Sequence, residues 1–192
     1  MNEGAGDVFA QNLLLLVVGA ILGGLIQAIV AWYNAFRESQ GIAHAIEAEI
    51  ASLIGLTILH QYKDELRVII QRLENPDHQP TVADIYAIQI GHDYFSVFHA
   101  LCGKIGSLRQ LSGKVVEVYA LGKSFLEDLK QLTELQEKML HAPDTHLNRE
   151  GLLELTKRAE TQLNLAIEKA SELLKELRAF SMKSWIFGSR SL

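Results

Sequence analysis

Among the residues of this chain able to bind a metal ion, the tightest grouping is His92, Asp93, His99 and Cys102, drawn from seven histidines and a single cysteine. On a continuous helix His99 and Cys102 share a face with His92 two turns earlier, a donor set suited to a soft or borderline cation. At about 1.5 Å of rise per residue, however, His92 and His99 stand about 10 Å apart. One ion can use both only if the helix breaks between them or another helix supplies ligands. No paired cysteines and no His-x-x-x-His spacing accompany them. The plainer reading is surface histidines and a small thiol that packs as an apolar residue, so no metal site is assigned. Nucleophilic chemistry has still less support. There is no Gly-x-Ser-x-Gly elbow, no Ser-x-x-Lys and no phosphate-cradling glycine loop next to a strand pattern. Glu47 and Glu49 are two positions apart and project from different sides of a helix, so they do not form an acid/base pair. We therefore expect no enzyme activity and no cofactor.

The elements that would position any site begin with an unbroken apolar run from Leu13 to Tyr33, in which Gln27 is the one strongly polar side chain. That length spans a bilayer as a single α-helix. The expected organisation is a short tail (1–11), a transmembrane helix (12–35), a helical bundle (36–180) and a basic and aromatic C-terminal tail (181–192). Gly19 with Gly23, and Ala20 with Gly24 and Ala28, form two adjacent rows of small residues, with Gln27 one turn beyond Gly23. Such rows let a second backbone approach closely, and an amide in hydrocarbon favours a hydrogen-bonding partner. Small residues are also common in spanning helices that stay alone, so self-association and a plain anchor are both open readings. Trp32, Tyr33 and Arg37 suit the membrane interface. In the tail, Lys183, Trp185, Phe187 and Arg190 mix cations with bulky apolar groups and suit an anionic headgroup region, or alternatively cover the end of the bundle.

Orientation rests on sparse charges. Glu3 and Asp7 precede the run with no Lys or Arg, and Arg37 follows it, which by the positive-inside rule places the N-terminus outside and the C-terminal domain in the cytoplasm. A lone cysteine is compatible with a reducing compartment. The chain carries 18 Lys and Arg against 23 Asp and Glu, a net charge of −5, which argues against a dedicated nucleic-acid surface. Proline is scarce, with 3 in the chain, and the second half is rich in Leu, Ala, Glu, Lys and Gln, so the fold class is all-α: one transmembrane helix followed by a cytosolic antiparallel bundle of long helices.

Apolar positions spaced by three and four mark the helices of that bundle. Ile42, Ile46, Ile50, Leu53, Leu56, Leu59, Leu66, Ile70 and Leu73 predict one long helix, with a single step of seven across His60–Glu65, ending at Asn75 and Pro76. Thr81 or Asp84 is a candidate cap for the next helix, and the aromatic stretch 85–104, with Gly91 and Gly103, reads as one broken or two short helices. A helix capped by Ser112 should bury Val115, Val118, Leu121, Phe125, Leu129, Leu132, Leu135 and Met139. The last should bury Leu152, Leu155, Ala159, Leu163, Ala166, Ala170, Leu173, Leu177 and Phe180, with Glu154 and Arg158 as a surface pair.

The segment Asp93–Phe98 (Asp-Tyr-Phe-Ser-Val-Phe), then Lys104–Leu108 (Lys-Ile-Gly-Ser-Leu) and Val115–Tyr119 (Val-Val-Glu-Val-Tyr), resembles a group of uncharacterised bacterial membrane-anchored helical proteins. The resemblance covers roughly residues 10–132. It implies a bacterial source and an inner-membrane location, and it carries no activity and no functional residues. Together these readings point to a single-pass membrane-anchored interaction or scaffolding module whose partners are the lipid bilayer and itself or another protein. The alternatives are an oligomeric effector that perturbs the bilayer and, further off, a metal-dependent sensor or enzyme. The aromatic segment 86–98 and the tail 180–190 are the candidate contact surfaces, and both are equally readable as core.

Overall fold

A computed structural model describes the backbone of residues 3–86, 94–141 and 148–188, and the side chains within residues 15–86, 94–141 and 148–181. Among these residues every regular element is helical: α1 (Glu3–Leu59), α2 (Tyr62–Glu74), α3 (Ser96–Leu101), α4 (Leu111–His141) and α5 (Arg149–Gly188), with 3-10 turns at Val82–Asp84 and Cys102–Leu108. The fold class is all-α, as the sequence pattern requires. The chain divides into two units, Met1–Gly41 and Ile42–Leu192, and the division falls within α1.

The first unit is helical from Glu3 onward, which satisfies its backbone polar groups internally. Its large apolar side chains from Leu15 to Tyr33 point outward: Leu16 is 71 % exposed, Ile26 62 % and Ile29 63 %. Among the described residues this is the one helix long and apolar enough to cross a membrane.

The second unit is an antiparallel bundle. Asp128 with Arg158 and Lys114 with Glu176 pair α4 against α5 in opposite directions, and Arg67 with Glu160 and Lys157 with Glu74 do the same for α2 and α5. Glu47 on α1 reaches Arg178 at 2.8 Å. The twenty-one residues from Glu47 to Arg67 therefore lie against the nineteen from Glu160 to Arg178, and the excess is taken up where α1 gives way to α2. The turn there is made by Gln61, held in the left-handed region at φ 51°. The expected single helix through His60–Glu65 is thus two helices. Asp64 and Glu65 stand in the first turn of α2, where the positive end of the new helix dipole favours them.

The bundle core has two parts. One gathers Ile42, Ile46 and Ile50 of α1, Ile105 and Leu108, Val115, Val118 and Tyr119 of α4, and Ala170, Leu173 and Leu177 of α5. The other gathers Leu66, Ile69 and Leu73 of α2, Ile85, Phe125, Leu129, Leu132 and Met139 of α4, and Leu152, Ala159 and Leu163 of α5. The stripes read from α4 and α5 are core except at Leu121 and Ala166, which are half-buried and belong to neither cluster. The α1 stripe is core only as far as Ile50. Leu53 is half-buried, Leu56 is 37 % exposed and Leu59 73 % exposed, because the turn at Gln61 ends the helix before its apolar face can continue along α5.

Local chemistry sets the remaining boundaries. Asn75 closes α2 and its side-chain oxygen accepts the Asp77 N–H at 3.1 Å. Arg149 donates through Nε to the Leu73 carbonyl at 2.6 Å, which places a cation and a donor at the unsatisfied end of α2. Asn148 precedes α5 and its side-chain oxygen accepts the Gly151 N–H at 3.4 Å. Ser112 lies inside α4 and its hydroxyl donates to the Arg109 carbonyl at 2.6 Å, so it closes the preceding turn instead of capping the helix. Arg158 forks onto the buried Asp128 of α4, through Nε at 3.0 and 3.1 Å, and its principal partner is not Glu154.

Candidate functional site

On the first unit, Gly19, Gly23 and Gly24 have open space where a Cβ would stand, and Gln27 lies on the exposed surface of the same helix with Ala20 and Ala28. The spacing of α-helix turns places Gly19, Gly23 and Gln27 along one line. At the end of the apolar stretch Trp32 stacks on Phe36 with ring centroids 5.8 Å apart, and the Arg37 guanidinium lies 5.7 Å from the centre of the Tyr33 ring. An amphipathic girdle of this composition suits a boundary between hydrocarbon and water.

In the bundle, three small residues meet at one level: Gly122 on α4, and Ala166 and Ala170 on α5. With Ile54 on α1 and Ile167 on α5 they line a cavity of about 100 Å³ at the junction of the two core clusters. Large side chains fill the core above and below, and the short ones leave the gap. Phe95 closes one side, its ring tip only 2.9 Å from where a Cβ on Gly122 would lie, so glycine admits the ring.

The polar groups that reach this lining are already paired. Thr57 donates to the Leu53 carbonyl at 2.8 Å, the Tyr62 hydroxyl is hydrogen-bonded with Tyr94, and the Tyr119 hydroxyl donates to Glu49. Burial, reinforced by Tyr94, raises Tyr62 above the ordinary tyrosine value. Burial and then the Glu49 contact do the same for Tyr119, so both hydroxyls stay protonated donors. Among the described residues no charged side chain lines the cavity.

Glu49 organises the aromatic wall. One of its oxygens accepts the Val97 N–H at 2.7 Å, and the other accepts the Phe98 N–H at 3.0 Å and the Tyr119 hydroxyl. The first turn of α3 has no side-chain cap of its own, so a carboxylate from a different helix fills that role. Tyr119 in turn stacks on Phe98 at 4.0 Å and meets Phe95 edge-on at 5.4 Å. The aromatic segment is therefore packed on the core at Phe95 and Phe98, as is Phe180 of the tail region.

The metal candidates are not drawn together among the described residues. His99 and Cys102 are both exposed, the His99 ring set edge-on to Phe98 at 5.9 Å, and His92 and Asp93 lie outside those residues. Lys183, Trp185 and Phe187 fall on the helical backbone of α5; their side chains, and Arg190 altogether, lie outside the described residues. Sequence reasoning missed Glu49 and the cavity. In the sequence Glu49 stands out only beside its neighbour Glu47, which in the fold pairs with Arg178 instead.

The class defined so far is an all-α bundle in a chain that also carries one apolar helix long enough to span a membrane. No protein-family model, curated protein or solved structure matches the chain.

Proposed function

We propose that this is a single-pass membrane-anchored interaction module, with the N-terminus outside, the bundle in the cytoplasm of a bacterial cell and copies gathered through the small-residue face of the anchor. The observation that carries the reading is the exposure of the apolar side chains from Leu15 to Tyr33 in a chain whose other unit builds its own core. An apolar surface of that extent needs a hydrocarbon surrounding, and a bilayer supplies it over the required length. The mechanism is tethering. Anchoring confines the bundle to two dimensions and raises its effective concentration toward any partner at the same surface.

Two measurements test this. Membranes from expressing cells, washed with alkaline carbonate, should retain the protein, and its release into the soluble fraction would reject the anchor. Light scattering of detergent-solubilised protein should give a protein mass of at least twice the 21.4 kDa protomer, returning to one protomer for Gly19→Leu combined with Gly23→Leu. A protomer mass for the unaltered chain at all concentrations rejects self-association and directs attention to a different partner protein.

A further inference from the structure

We propose that the cavity between the two core clusters of the bundle is a binding site for a hydrocarbon group, the end of an alkyl chain or an apolar molecule of similar girth. Three observations carry this. The volume, about 100 Å³ in a pocket that is half open to solvent, exceeds what close packing ordinarily leaves empty and is on the scale of the roughly 150 Å³ at which an enclosed apolar cavity takes up benzene or xenon. The chemistry of the wall favours apolar ligands. Thr57 and Tyr119 donate their hydroxyl protons to the Leu53 carbonyl and to Glu49, Tyr62 and Tyr94 share a hydrogen bond, and the remaining lining is aliphatic or aromatic carbon. A polar ligand would give up water for a wall that is mostly carbon with a few hydroxyls already engaged, whereas a hydrocarbon gives up no hydrogen bonds on entry.

The wall is also held open. Gly122, Ala166 and Ala170 keep side chains out of the space, and on one side the Tyr119 ring is fixed by its hydrogen bond to Glu49, with the Phe95 ring set edge-on against it. A gap arising only from poor packing would be relieved by rotation of the Tyr119 ring. Here rotation costs the buried Tyr119 hydroxyl its partner.

The test uses the full-length protein in phosphatidylcholine nanodiscs, with isoleucine methyl groups labelled for NMR. Under xenon pressure the Ile54 and Ile167 methyls should shift along a saturating curve, with Ile42 and Ile69, in the packed core, unmoved. In Ala166→Phe, which fills the space, the shift should fall at least fivefold. Absence of a saturating shift at Ile54 and Ile167 in the unaltered protein overturns the proposal, whatever the variant does. A second arm assigns the source of the hydrocarbon. Nanodiscs carrying phosphatidylcholine with a photoreactive diazirine at the acyl terminus should, if a lipid chain enters, label the peptide containing Leu53 and Ile54 as well as the apolar stretch of α1. Xenon shifts without that label support the site and make its ligand a free small molecule.

Discussion

Glu49 places one carboxylate on three donors, two of them backbone N–H groups at the start of a six-residue helix that has no cap of its own. Replacing it with Gln keeps one acceptor oxygen but turns an amide NH2 toward donors, leaving at least one of them unpaired. Hydrogen bonds to a charged acceptor contribute about 1.5–3 kcal/mol, so Glu49→Gln should lower the unfolding free energy by about that amount, and Tyr119→Phe by about 1 kcal/mol. Urea unfolding of both and of the double variant should show coupling, since the two share a hydrogen bond; strict additivity would mean that the contact contributes nothing. Asp84 makes a different prediction. Its carboxylate, 1 % exposed, is pushed upward by burial, but the Thr81 N–H at 2.9 Å, His78 at 2.8 Å and the Thr81 hydroxyl at 3.0 Å outweigh this and hold it below the usual Asp value. A carboxyl lowered in the folded state stabilises the fold above its unfolded value, about 3.9, and that stabilisation is lost as pH falls through the folded value. Urea midpoints should therefore fall more steeply below about pH 4 in the natural protein than in Asp84→Asn, which should already be the less stable at pH 7. Parallel curves would show that Asp84 is not a source of acid sensitivity.

At the scale of elements, the turn between α1 and α2 decides which apolar residues enter the core. Gln61 holds φ 51° and ψ 29°, a conformation that costs a side-chain-bearing residue about 1–2 kcal/mol. Glycine adopts it freely but loses more chain entropy on folding, so Gln61→Gly should be neutral or slightly stabilising, and the β-branched Gln61→Val should cost about 1–2 kcal/mol or more. Equal melting temperatures for the two would show that the turn relaxes without strain. The same turn separates Leu59, 73 % exposed, from Leu66, fully buried. Leu66→Ala should cost about 2–5 kcal/mol and Leu59→Ala less than about 0.5. This pair also marks how far the fold was legible. Spacing by three and four located Val115, Leu129, Leu132, Leu173 and Leu177 in the core because each lies within an uninterrupted helix. It assigned Leu56 and Leu59 to the same stripe as Leu66 because periodicity names a face without saying whether the helix continues. The step of seven across His60–Glu65 was the trace of the break. The small-residue rows of the apolar helix were visible because the members of each row are neighbours in sequence. The cavity was not, since it depends on Gly122, Ala166 and Ala170 arriving at one level from two helices, and Glu49 meets partners 48, 49 and 70 residues away.

For the molecule as a whole, the proposed tether is defined by which side of the bilayer holds the bundle, and the chain carries its own reporter. Cys102 is the one cysteine in the sequence and its thiol is free and exposed at the start of the 3-10 turn that follows α3. An exposed thiol reacts through its thiolate with a maleimide, and a charged maleimide does not cross an intact inner membrane. The charge argument rests on Glu3 and Asp7 before the apolar stretch and Arg37 after it, so the bundle should face the cytoplasm. Spheroplasts treated with a membrane-impermeant maleimide should leave the protein unlabelled, and the same reagent after detergent permeabilisation should label it to near completion, with Cys102→Ser unlabelled in both. Labelling before permeabilisation would reverse the orientation and put the bundle outside, where its partners would have to be sought among extracytoplasmic proteins. It would also mean that this thiol persists unpaired in an oxidising compartment, for which an exposed cysteine is poorly suited.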